Sequence, residues 1–148
     1  MKKMEQAIGE AKIAYEENEV PVGCVIYCGD TLISKGHNTT IKDKNDTHHA
    51  EINAINDAIA KLGDKNLSEC EMYVTLEPCP MCAGAIINTK IKRLYIGAFE
   101  PKSGCFGSVT DFSNLPFNHK PELYTGINED ECKKIIKDFF EDKRKTDI

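Results

Sequence analysis

The sequence predicts a layered α/β domain built on a mixed sheet of about five strands. Short β-branched, apolar runs alternate along the chain with segments whose apolar residues recur at helical spacing. Glycine, proline and Asn/Asp clusters punctuate the boundaries between them. The length, 148 residues with 41% hydrophobic residues, suits one core, so residues 1–148 are expected to form a single domain.

Each element has its own signal. Met4, Ala7, Ile8, Ala11 and Tyr15 mark a helix over 4–15, which must stop before Pro21. Residues 22–27 are apolar and β-branched, as a strand requires. Cys28-Gly29-Asp30 is a turn signal, and 31–34 returns as the second strand of a hairpin. Residues 36–47 are polar and read as a loop. A second helix covers about 49–62, with Ile52, Ile55, Ile59 and Leu62 as its stripe. Residues 71–76 form a third strand, Pro78 opens a short helix over roughly 79–88, and 93–98 form a fourth strand. Residues 99–121 are loop-rich, with Pro101, Gly104, Gly107 and Pro116, and 122–125 supply a fifth strand. The last helix starts at Asn128, an N-cap with Glu131 three residues on, and should bury Cys132, Ile135, Ile136, Phe139 and Phe140.

Composition excludes a helical membrane protein, because no apolar run approaches the roughly 18 residues a span needs. The basic start Met1-Lys2-Lys3 has no apolar segment behind it, so no signal peptide is expected and the chain is assigned to the cytoplasm. In that reducing compartment, seven cysteines point to metal binding or catalysis rather than to disulfides. Cys24, Cys70, Cys105 and Cys132 are expected to pack as small apolar groups, with Cys28 exposed in its turn. The formal net charge of -5 means that any RNA partner would need a local basic patch.

The chemistry concentrates in two short motifs. His49-Ala50-Glu51 opens one predicted helix and Pro78-Cys79-Pro80-Met81-Cys82 opens another, with a predicted strand between. Cysteines three apart at a helix start project to one side, so both can reach one ion. Pro80 suits a first turn, where its missing N–H has no helical partner, and the helix N-terminus favours thiolates. One histidine and two cysteines make three protein ligands, the number typical of catalytic zinc, whereas structural zinc usually takes four. His48 should point away from its neighbour. Glu51 stands beside the metal without being needed by it, placed to accept a proton from an activated water. Asn38 precedes the metal helix and either contacts a ligand or caps its own loop; His37 and His119 read as ordinary surface residues.

At these residues the chain resembles the bacterial tRNA-specific adenosine deaminases, a branch of the cytidine deaminase-like superfamily. The motif H-x-E with P-C-x-x-C is that superfamily's zinc signature. The stretch Tyr73-Val74-Thr75-Leu76-Glu77-Pro78-Cys79-Pro80-Met81-Cys82-Ala83-Gly84 is close to the family pattern. Val20-Pro21-Val22-Gly23, Gly36-His37-Asn38, Pro101-Lys102-Ser103-Gly104, Asn118-His119 and the region 126–140 narrow the likeness to the tRNA branch. The resemblance implies a three-layer α/β/α fold, one zinc ion on His49, Cys79 and Cys82, and Glu51 as general acid and base. It further implies Asn38 and Lys102 as substrate contacts, a tRNA anticodon stem-loop as partner, attack of water at C6 of the wobble adenine to give inosine, and a homodimer. Thr39, Phe99, Glu100 and His48 depart from the family pattern, and together these changes remove positive charge.

Two other readings share parts of this pattern. A deaminase of a free nucleobase or nucleoside, of cytosine, guanine or cytidine type, would use the same metal centre and need no basic surface. A non-catalytic, zinc-stabilised interaction module would have no use for Glu51. A tRNA partner requires cations near the pocket, and Lys102, Lys90, Lys92, Arg93 and the run 143–145 are the candidates.

Overall fold

The computed structural model describes residues 2–146, with side chains through Lys143. Its elements run α1 (Lys2–Glu16), β1 (Gly23–Cys28), β2 (Thr31–His37), α2 (Ala50–Leu62), β3 (Glu71–Leu76), α3 (Pro80–Asn88) and β4 (Arg93–Ala98). A 3-10 turn at Phe112–Asn114, β5 (Glu122–Tyr124) and α4 (Glu129–Thr146) complete the chain. The five strands form one mixed sheet in the order β2-β1-β3-β4-β5. β1 is antiparallel to both of its neighbours, and β3, β4 and β5 run parallel.

Strand alternation sorts the core onto two faces. Cys24 and Ile26 of β1, Met72 and Val74 of β3, and Leu94 and Ile96 of β4 meet Ala54 and Ile55 of α2 and Ala83 and Ile86 of α3. Val25, Tyr27 and Tyr73 face the other way, onto Met4, Ala7 and Ile8 of α1 and Cys132 of α4. The result is the three-layer α/β/α arrangement. On the α1 face, tyrosines stack across adjacent strands: Tyr73 on Tyr95 at 4.2 Å between ring centres, and Tyr95 on Tyr124 at 4.8 Å.

Several boundaries differ from expectation. β2 runs on to His37 instead of giving way to loop at residue 36. Gly36 lies there because α2 comes down on it: a Cβ would stand 2.4 Å from the Ala50 carbonyl oxygen. α3 begins at Pro80, with Cys79 as its N-cap. The connection 99–121 carries the short 3-10 turn, held by Asp111 accepting the Ser113 N–H at 3.0 Å. Asn128 precedes α4 in the left-handed region, at φ 54, and its amide donates to the Glu131 carboxylate at 3.5 Å. Along α4, Cys132 and Phe139 are buried, whereas Phe140 sits on the outer edge of the stripe and is exposed. Cys28 is half-buried rather than exposed, and the other four cysteines expected to pack are buried. Among the described residues, no helix is long and apolar enough to cross a membrane.

Candidate active site

Two helix N-termini converge beside the end of β3. His49 is the N-cap of α2 and Cys79 the N-cap of α3, both in extended backbone, and Pro80 takes the first helical position of α3. Cys82 follows one turn into α3. His49 Nδ1 lies 3.5 Å from Cys79 Sγ and 3.6 Å from Cys82 Sγ, and the three donor atoms fall within 4.8 Å of one another. A tetrahedral ion with metal–nitrogen bonds of about 2.0 Å and metal–sulfur bonds of about 2.3 Å has a nitrogen–sulfur edge of roughly 3.5 Å. The donor set therefore fits zinc in both chemistry and spacing.

The electrostatics are those of a site built for a cation. The Cys82 thiol and then the His49 ring, by hydrogen bonding, hold the Cys79 thiol down to about 4. The Cys79 sulfur in turn raises His49. Cys82 keeps its proton, pushed well up by its bond to Cys79 and by burial. A dication displaces such shared protons, since thiolates and neutral imidazole are the ligating forms.

Glu51 stands in the first turn of α2, 4% exposed and outside the donor cluster. Burial lifts its carboxyl to about 7; the Cys79 charge adds to the rise, while the His49 ring opposes it. A carboxyl at that value both accepts and releases a proton near neutrality.

His49, Glu51 and Cys79 form part of the lining of a cleft of about 320 Å³, within the size range of small-ligand sites. Val20, Asn38 and Thr40 contribute to one wall, and Glu100 and Ser103 to the other. A larger groove, about 400 Å³ between α1 and α4, contains no metal-ligating cluster among the described residues.

The other candidate residues separate clearly. Asn38 is in the cleft wall and tied on both sides: Nδ2 donates to the Val20 carbonyl and Oδ1 accepts the Ala50 N–H, each at 3.1 Å. Lys102 is exposed and outside the cleft lining; its backbone N–H donates to the Glu100 carboxylate at 3.0 Å. His48 turns away to Asp43 at 2.7 Å. His37 sits between Glu10 and Glu17, at 3.1 and 2.8 Å, and His119 meets the Ile91 carbonyl at 2.7 Å.

Arg93 does not belong to a cleft-side basic patch. β4 pairs Leu76 with Ala98 at the cleft end and Glu71 with Arg93 at the other, about 16 Å away along the strand. There Arg93 is held by Glu122 and Glu71, at 2.6 and 3.2 Å. Lys90 and Lys92 adjoin that same end. Lys143 lies over the Phe139 ring, and the side chains of Arg144 and Lys145 are outside the described residues.

Two functional-looking groups escaped sequence reasoning, the buried carboxylates Glu19 and Glu77. Their hydrogen-bond partners lie more than twenty residues away in sequence.

Sheet order, donor set and buried carboxylate together define the class: the chain is a deaminase of the cytidine deaminase-like fold. Residues 1–144 match the family model of the MafB19-like deaminases. A tRNA-specific adenosine deaminase of Bacillus subtilis is 40% identical over 143 residues, covering 96% of this chain and 89% of that protein. One of Rickettsia typhi is 42% identical over 146 residues, covering 97% and 99%. A solved structure from a study of A-to-I editing by tRNA:A34 deaminases superposes with a TM-score of 0.87 at 42% identity, covering 89% of this chain and 96% of the other. The chain belongs to the tRNA-specific adenosine deaminase family.

Proposed function

We propose that this chain converts the wobble adenosine of a tRNA to inosine, with one zinc ion on His49, Cys79 and Cys82 and with Glu51 as general acid and base. The observation that carries the reading is Glu51, a carboxyl buried in the first turn of α2 beside three donors spaced for zinc. The metal, when bound, supplies the Lewis acidity that brings the pKa of a water down to about 7.

Glu51 then accepts the proton of the attacking water and hands it to the purine ring nitrogen. A second proton follows the same carboxyl to the departing amine, so adenosine and water give inosine and ammonia. An anticodon adenosine is already unpaired, and turning it into the cleft costs little stacking. Asn38, with its ring of bonds to Val20 and Ala50, presents a fixed amide to the base. Lys102 is exposed on the loop that supplies Glu100 and Ser103, and in this reading it meets a flanking phosphate.

The family likeness supports three further assignments. The chain works as a single deaminase domain, in the cytoplasm where its tRNA resides, and as a homodimer. Met81 on α3 and Phe99, Val109 and Phe117 beyond β4 expose apolar surface that a second copy would cover. Light scattering on the purified protein measures the mass directly. Deamination of a free purine is the competing reading, favoured by the acidic Asp46 and Glu100 in the cleft wall.

An inosine assay on anticodon stem-loops, run beside free bases and nucleosides, separates the two. Inosine in a stem-loop is expected. Turnover of free bases or nucleosides alone would sink the tRNA assignment.

A further inference from the structure

Each wall of the cleft hangs on one buried carboxylate that the proposed chemistry does not use. Glu19, 1% exposed, lies between α1 and β1. Its Oε1 accepts the Ile41 N–H at 3.1 Å and the Thr40 hydroxyl at 3.3 Å, and its Oε2 accepts the Lys42 N–H at 2.9 Å. Thr40 is itself a wall residue. Glu77, 3% exposed, lies between β3 and α3. Its Oε1 accepts the Glu100 N–H at 3.0 Å and the Ser108 hydroxyl; its Oε2 accepts the N–H groups of Phe106 and Ser108, at 2.9 and 3.1 Å. Glu100 and Ser103, in the loop so gripped, form the opposite wall.

Neither carboxylate has a lysine, arginine or histidine partner among the described residues; every donor is a backbone N–H or a hydroxyl. Burying a charge without a counter-ion is costly, and closing a loop does not require one. What a carboxylate adds is several charge-assisted hydrogen bonds converging on one rigid group. That fixes a whole loop against the segment carrying the carboxylate. The fit is close: a Cβ on Gly104 would stand 2.2 Å from Glu77 Cδ.

Both segments are also tied to the reactive centre. Val20, next to Glu19, accepts from Asn38, and the Pro78 carbonyl, one residue past Glu77, accepts the Cys105 N–H at 2.9 Å. Cys79 follows directly. The two carboxylates thus reference both walls to the donor cluster.

We propose that Glu19 and Glu77 are positioning residues which set the two cleft walls against the metal-binding donors, and so govern affinity for the nucleotide without moving protons. The proposal rests on the deaminase reading above. Glutamine tests it, because its amide cannot replace the carboxylate at Glu77. Whichever way the amide turns, its NH2 meets at least one backbone N–H.

In Glu77→Gln and Glu19→Gln, KM for an anticodon stem-loop should rise roughly 10- to 100-fold. Zinc content and the pH profile of kcat should stay as in the unmodified protein. Amide exchange should quicken at Phe106 and Ser108 in the first variant and at Ile41 and Lys42 in the second. Ser108→Ala, at an exposed position, removes one donor and should raise KM about fivefold, the worth of one hydrogen bond.

Unchanged KM in all three variants overturns the proposal. So does a shifted kcat profile at unchanged KM, which would place the group in proton transfer. If the glutamine variants do not fold, Ser108→Ala decides alone, and an unchanged KM there counts against the assignment. Absence of inosine from every stem-loop with the unmodified protein would sink the substrate reading only. The exchange measurements still test the two carboxylates, and unchanged exchange refutes their hold on the walls.

Discussion

Asn38 Oδ1 accepts the backbone N–H of Ala50 at 3.1 Å, so a residue just past β2 caps the helix that carries Glu51. Ala50 opens α2, and its N–H is one of the donors a helix start leaves unpaired. Asn38→Ala should therefore cost about 1 kcal/mol in stability. It should also lower kcat/KM at temperatures where the variant is fully folded, because the proposed contact to the base is gone. Denaturant unfolding and the inosine assay check the two effects separately. A stable variant with intact kcat/KM would remove Asn38 from the site.

One zinc per chain is expected, and X-ray absorption should show two sulfur ligands and one nitrogen from the protein. Chelation should abolish turnover, and added zinc should restore it. His49→Ala, Cys79→Ala and Cys82→Ala should each lose the ion. Full metal retention in any of the three would show a different ligand set.

Glu51→Ala should keep the ion and lose about 10²–10⁴-fold in kcat, the usual contribution of a general acid–base group. Metal analysis of the same sample makes the distinction. Loss of zinc along with activity would make Glu51 a ligand instead.

The metal-free protein should show the cost of burying Glu51. Its carboxyl is raised from 4.5 to about 7, chiefly by burial. The folded state therefore holds the proton more tightly than the unfolded chain. This contribution is neutral below about 4.5, and stability falls as pH rises through 7. The total is about 3 kcal/mol. Glu51→Gln should lack that fall, so the stability difference between the two proteins should change over this window. Parallel curves from pH 4 to 8 would contradict a neutral buried Glu51.

Activity on a stem-loop should drop with added salt, because phosphate contacts release counterions. Lys102→Ala should weaken binding and flatten that slope by about one counterion. An unchanged slope would place the phosphate contacts elsewhere, since Lys102 stands outside the cleft lining.

Much of the site was legible because its chemistry is local. His49 to Glu51 and Cys79 to Cys82 are short motifs, each at one helix start, and the structure brings them together as spacing predicts. β3 and β4 were equally plain, being β-branched runs between breakers. The end of β2 is not legible because Lys35-Gly36-His37 lacks strand composition; Gly36 is there for the close approach of α2, a tertiary demand. Arg93 misled for a related reason. It follows α3 in sequence, but strand direction starts it at the far end of the sheet. Glu19 and Glu77 were hidden because a carboxylate in a connecting segment ordinarily faces water, and only the folded chain supplies their donors.

The tyrosine stack has a practical consequence. The chain has no tryptophan, and three of its five tyrosines, Tyr73, Tyr95 and Tyr124, lie ring on ring across β3, β4 and β5. Transition dipoles at 4.2 and 4.8 Å couple strongly, so the native sheet should carry an excitonic near-ultraviolet dichroism that vanishes when the strands part. The protein thereby contains its own label-free optical reporter, centred on the three parallel strands and undisturbed by indole absorption.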